Sequence, residues 1–174
     1  MDFPSCDNNA YNLLIQLKNH VSLEEVNVFG NILVALDGSE VNQRALMEAV
    51  DQAKIWNAKL QAIYITSTAL LNSLSTDPTF RVDNTYEIER SLQKEGEAVL
   101  ESAKKYCAEK GITIITHMKY GDPGIEILSL AEQEKCDLII VASHGKSDLD
   151  RLLLGSVSSF VVTHNKVMTL VVRG

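Results

Sequence analysis

Residues 142–156, Ala-Ser-His-Gly-Lys-Ser-Asp-Leu-Asp-Arg-Leu-Leu-Leu-Gly-Ser, carry types suited to holding an anion. They leave a strongly apolar run, Asp137-Leu-Ile-Ile-Val141, and pass a small-residue turn that ends at Gly145. Gly155-Ser156 then opens a helical pattern. Small residues at a strand's carboxyl end let backbone N–H groups come close to an anion. A helix amino terminus adds unpaired donors and the positive end of a dipole. The chemistry implied is phosphate binding. Lys146 could reach a phosphate, and His144 could donate to one or act as a general acid. A second stretch, Asp37-Gly38, ends the apolar run Asn31-Ile-Leu-Val-Ala-Leu36. Asp37 is a turn former, and also a carboxylate able to accept from hydroxyl groups.

The elements that must hold these residues alternate along the chain. Asn31 to Leu36 reads as a strand, and from Ser39 the apolar spacing of Val41, Ala45, Ala49, Ala53 and Trp56 is helical. Lys59 to Thr66 is a second strand, and 67–82 a loop long enough to cover a site. A helix is expected over about 84–110, closed by Gly111, and a third strand over 112–118. Asp122-Pro123 marks a helix start, with the aspartate as N-cap and proline at the first helical position. That helix ends near Lys135. Asp137 to Ala142 is the fourth strand, Ser156 to Asn165 the last helix, and Val167 to Val172 the fifth strand.

The expected fold class is therefore α/β, a doubly wound five-stranded parallel sheet of Rossmann-like type in the order 3-2-1-4-5. In that order a crevice opens between the carboxyl ends of strands 1 and 4. It would bring Asp37 and the 142–156 turn to one ligand. Residues 1–29 stand outside the alternation as a leader, a short helix or partly disordered, and 30–174 form the domain. Strand 167–172 would be an apolar sheet edge, which invites pairing with a second copy of the chain.

Bulk properties narrow the function classes. The chain has 174 residues, one domain's worth, with 45% hydrophobic and 22% charged residues. Its net charge of −7 argues against nonspecific binding to nucleic acid or an anionic membrane. There is no apolar run of transmembrane length, and the three cysteines form no Cys-x-x-Cys, so a cytoplasmic location is expected. Gly145-Lys146-Ser147 is not the tail of a P-loop, because Ile140 stands where that motif needs glycine. Ser156 and Ser158 are expected to cap the last helix.

Asn31-Ile-Leu-Val-Ala-Leu-Asp-Gly-Ser-Glu40, Gly121-Asp-Pro-Gly-Ile125, Val141-Ala-Ser-His-Gly145 and Gly155-Ser-Val-Ser158 together resemble the universal stress protein family. The resemblance covers about residues 30–173. The family's ATP-binding branch carries a glycine, two residues, a second glycine, nine residues, then glycine followed by Ser or Thr. Here Gly145, residues 146–154 and Gly155-Ser156 match that spacing, and Ala142 replaces the first glycine. The resemblance implies an adenine pocket at Ala35, Leu36 and Ile65, with Asp37 at the adenosine end. It implies a phosphate cradle over Ala142, Ser143, His144, Gly145, Lys146, Gly155, Ser156, Val157 and Ser158. ATP is the implied cofactor, with Mg or Mn held through its phosphates, and the family's dimers imply a homodimer through strand 167–172. The implied role is a nucleotide-dependent regulator in stress response. Two alternatives remain open: a dimeric interaction module that binds no nucleotide, and a slow ATP hydrolase using His144, Asp148 or Asp150. Ala142 bears on the choice. With a negative φ its methyl costs little, whereas a turn needing positive φ would be strained.

Overall fold

The computed structural model describes residues 28–67, 82–145 and 154–173. Within these residues nine elements alternate: β1 (Asn31–Leu36), α1 (Glu40–Trp56), β2 (Lys59–Ser67), α2 (Val82–Glu109), β3 (Ile114–Gly121), α3 (Pro123–Gln133), β4 (Leu138–Ala142), α4 (Ser156–His164) and β5 (Met168–Val172). The strands form one sheet in the order β3-β2-β1-β4-β5, and every neighbouring pair is parallel. This is the doubly wound topology that the alternation predicts. Residues 1–27 of the expected leader lie outside the described residues, as do nearly all of the expected covering loop and Lys146, Asp148 and Asp150; Phe29, at the leader's end, packs edge-on against Trp56.

Helices cover both faces, which is why β1 and β4 are near-continuous apolar runs instead of alternating. On one face Ile32, Val34, Leu36, Leu60, Ala62, Tyr64, Leu138 and Ile140 pack against Ala45, Ala49 and Ala53 of α1 and Leu100, Ala103 and Cys107 of α2. On the other, Leu33, Ile63, Ile139 and Val141 meet Ile127, Leu130 and Ala131 of α3 and Val161 of α4. Each fully buried Ile or Leu in these layers contributes on the order of 1.5–3 kcal/mol. Cys107 and Cys136 are buried free thiols, and burial pushes both up to about 11. At neutral pH they are small core residues, not nucleophiles.

Local chemistry sets the element ends. Gly38 turns the chain at φ 80°, and Ser39 caps α1 by accepting from the Asn42 N–H. Asp122 caps α3 by accepting from the Ile125 N–H, with proline just inside. The third strand differs from its expected bounds, beginning at Ile114 and running to Gly121. Ile112 lies just past α2 instead and closes its carboxyl end, donating its N–H to the Cys107 carbonyl at 2.9 Å. At the other end, pairing with β2 carries the strand through the polar Lys119-Tyr120, up to Ser67 opposite Gly121. Hydrophobic pattern could not see that extension, because an edge strand is held there by its ladder.

A polar chain crosses the sheet at the opposite end from the crevice. Gln61, fully buried, donates from Nε2 to Asn31 Oδ1 at 2.9 Å, which leaves its Oε1 to accept from His117 Nε2 at 2.7 Å. Asn31 Nδ2 in turn donates to the Glu134 carbonyl. Burial holds His117 below the usual histidine range; Glu134 pulls it up, and Lys119 and Lys59 push it down. A histidine whose folded pKa is depressed adds stability that is complete above its unfolded pKa, about 6.5, and is lost as pH falls toward the folded value. Urea unfolding from pH 7.5 to 5 is expected to show a steeper fall in stability for the native chain than for His117→Gln. Parallel curves would refute this account of His117.

Candidate functional site

The sheet order puts the carboxyl ends of β1 and β4 side by side, and a cavity of about 330 Å³ lies across them. Its walls include Ala35, Leu36, Asp37, Ile65, Ala142, His144, Gly145, Gly155, Ser156, Val157 and Ser158. Eleven residues expected from separate parts of the chain thus meet at one cleft.

Asp37 is fixed from both sides of its own turn. Its N–H donates to Asn42 Oδ1 at 2.7 Å, and its Oδ1 accepts the Ser39 N–H at 2.8 Å. Asn42 is buried in the first turn of α1, so one side chain ties the end of β1 to that helix. Across the cleft the backbone comes close to this carboxylate. A Cβ on Gly145 would lie 2.6 Å from Asp37 Oδ2. The crevice is therefore tight in the middle, where only a glycine fits.

The α4 side supplies donors. Gly155 is the N-cap, in extended conformation, and no side chain caps the helix. This corrects the expectation that Ser156 and Ser158 cap it. The Ser158 hydroxyl instead donates inward, to the carbonyls of Ser143 and Gly155, both at 2.9 Å. The first-turn N–H groups of an α-helix have no acceptor within the helix. Without a side-chain cap, those of Ser156, Val157 and Ser158 stand at the cavity wall with the positive end of the helix dipole.

Ser143 is not on the cavity lining. Its N–H donates to the Val172 carbonyl at 2.7 Å, and its own carbonyl accepts the Gly155 N–H at 2.6 Å. Together with the Ser158 hydroxyl this clamps the two ends of the 143–155 segment to each other. The Ser143 hydroxyl meets His144 Nδ1 at 2.8 Å and so fixes that ring at the lining. Ser143 is a fastener for the cradle, not a wall of it.

Ala142 ends β4 opposite Val172, and its φ is not positive. The methyl that replaces the motif's first glycine therefore brings no backbone strain. Strand alternation also puts it on the face of Leu138 and Ile140, toward α1, whereas α4 packs on the other face.

Several wall residues were not expected at the site: Asn42, Thr66, Leu92, Glu95 and Pro123, the last known only as a helix start. Leu92 and Glu95 come from α2, and only the packing of that helix on the sheet brings them to the cleft. Asn42 had one usable sign, its place five residues after a strand-ending aspartate.

The family model for the universal stress protein family matches residues 29–173. The universal stress protein MJ0531 of Methanocaldococcus jannaschii is 33% identical over 165 residues, spanning 92% of this chain and 94% of its own. The solved structure of MJ0577 from the same organism has a TM-score of 0.72 at 26% identity, covering 84% of this chain and 97% of that one. A universal stress protein solved in complex with cAMP has a TM-score of 0.62 at 26% identity, covering 83% and 97%. With the family model spanning the whole sheet and a relative this similar along nearly its full length, the chain belongs to the universal stress protein family.

Proposed function

We propose that the cleft binds an adenine nucleotide, ATP in the first place, and that the protein acts as a nucleotide-dependent regulator in stress response. The observation that carries this reading is the pairing of a fixed carboxylate, Asp37, with the uncapped amino terminus of α4 across one cavity. The carboxylate suits ribose hydroxyls, and the helix start suits phosphates. The fit is supported by the close approach of Gly145, a cradle that a single Cβ would fill. Support also comes from the relative solved with cAMP. A divalent cation, Mg or Mn, would enter on the phosphates.

A nucleotide in the cleft would bear on Gly145 and on the amino end of α4, which Ser143 ties to the end of β4. A partner that distinguishes the filled from the empty form would then be switched. The exposed apolar residues Val167 and Met168 at the β5 edge support a homodimer through strand 167–172. Two buried, unpaired thiols suit a reducing compartment, in keeping with a cytoplasmic location.

Calorimetric titration with Mg-ATP tests the reading. Saturable heat is expected from the native chain, with affinity about tenfold weaker in Asp37→Ala, the loss of one charge-assisted contact. No heat at millimolar Mg-ATP would overturn it, and cAMP in the same experiment tells which phosphate form is preferred.

A further inference from the structure

The end of β2 carries a hydroxyl that the fold leaves without a partner. Thr66 is 3% exposed, and its Oγ1 is the one buried side-chain nitrogen or oxygen among the described residues that makes no hydrogen bond. The other buried polar side chains are all engaged. Asn42 accepts from Asp37, Gln61 bridges Asn31 and His117, Ser143 meets His144, and Ser158 donates to two carbonyls. A buried hydroxyl without a partner destabilises the fold, and native proteins keep few of them. The strand does not need this one, since valine has the same shape and an equal preference for β structure.

Position gives the hydroxyl its meaning. β1 pairs with β2 only as far as Leu36 opposite Tyr64, so Ile65, Thr66 and Ser67 run past the end of β1. All three line the cavity. Alternation puts Ile65 with Ile63 on the α3 face, and Thr66 with Tyr64 and Ala62 on the face covered by α1 and α2. The end of β2 therefore offers an apolar side chain on one face and a hydroxyl on the other. On the hydroxyl's face the wall is completed by Leu36, Tyr64, Leu92 and Glu95.

The sheet order then decides which part of a nucleotide reaches Thr66. Phosphate donors sit at β4 and α4, the Asp37 carboxylate at β1, and Thr66 on β2, on the far side of β1 from the phosphates. A ligand with phosphates at α4 and ribose at Asp37 has its base at β2. We propose that Thr66 Oγ1 is a specificity-determining contact, hydrogen-bonded to a polar atom on the edge of the bound purine. A hydroxyl can donate to a ring nitrogen or accept from an exocyclic amine. The ligand thus supplies the partner that the fold withholds. This inference rests on the nucleotide reading above.

The test uses the full-length chain with Thr66→Val and Thr66→Ser, measured by calorimetry with Mg-ATP and by thermal unfolding without ligand. Thr66→Val is expected to bind about 5- to 10-fold more weakly, and Thr66→Ser within about 2-fold of the native chain. Without ligand, Thr66→Val is expected to melt about 2–4 °C higher, because an unpartnered buried hydroxyl is gone. A residue with a purely structural role would not show opposite changes in binding and stability. Native affinity in Thr66→Val overturns the Thr66 contact and leaves the nucleotide reading standing. A lower melting temperature, or failure of Thr66→Val to fold, shows that the hydroxyl already serves the fold and also overturns it. Absence of ATP binding by the native chain removes the nucleotide reading, and the Thr66 contact with it.

Discussion

Replacing Gly145 with alanine is expected to weaken Mg-ATP binding by about 10- to 100-fold while the protein stays folded, a change of roughly 1.4–2.8 kcal/mol. The backbone there lies outside the left-handed region, so alanine brings no conformational strain of its own. The whole effect comes from contact. The new methyl carbon would start 2.6 Å from Asp37 Oδ2, well inside van der Waals distance. The carboxylate cannot swing away freely, because its Oδ1 holds the Ser39 N–H. Either the carboxylate turns and loses that bond, or the strand end of β4 backs away from β1. Each route moves a group that the nucleotide needs.

A double-mutant cycle separates contact from other causes. In an Asp37→Ala background the same Gly145→Ala change is expected to cost less than about threefold, since the clashing oxygen is absent. An equal loss in both backgrounds would show that Gly145 acts elsewhere, and native affinity in the single variant would show that the cleft is not closed in the middle. Circular dichroism and thermal unfolding guard against a folding defect posing as a binding loss.

What the chain discloses about this site follows from where each signal lives. Asp37 and Gly145 were legible because strand ends and turns have strong local signatures, and the crossover rule places those two strands side by side. The helix start at Asp122-Pro123 was legible for the same reason. Ser158, whose place at a helix start predicts a cap, does not cap α4. Nothing local reveals that its hydroxyl donates to the Ser143 carbonyl, fifteen residues earlier. Thr66 was invisible in another way. A threonine in a strand is ordinary, and only the satisfaction of every other buried polar group makes this hydroxyl stand out. Ala142 shows the converse. From sequence its methyl looked decisive for ATP, yet whether it strains the turn depends on a backbone angle, and that angle proves ordinary.

The second large effect concerns stability, and it lies where α2 crosses the sheet. Glycine inside a helix costs about 0.5–1 kcal/mol relative to alanine, so Gly96 in the middle of α2 calls for a reason. A Cβ there would lie 2.5 Å from Tyr64 Cδ1 and 2.5 Å from Met118 Cε. The helix can rest this low on β2 and β3 only because position 96 has no side chain. Met118 ends in a flexible methyl and can move, but Tyr64 is a buried ring, and the space next to it is the cavity. Gly96→Val is therefore expected to destabilise the fold by about 2–3 kcal/mol, through overpacking that outweighs any change in helix propensity. Urea unfolding measures it directly. Because the ring yields toward the cleft, Mg-ATP affinity is expected to fall in the same variant. If Gly96→Val unfolds at the native urea concentration, α2 does not press on the sheet at Tyr64. The wall that this helix lends to the cavity, Leu92 and Glu95 included, would then have to be set by something else.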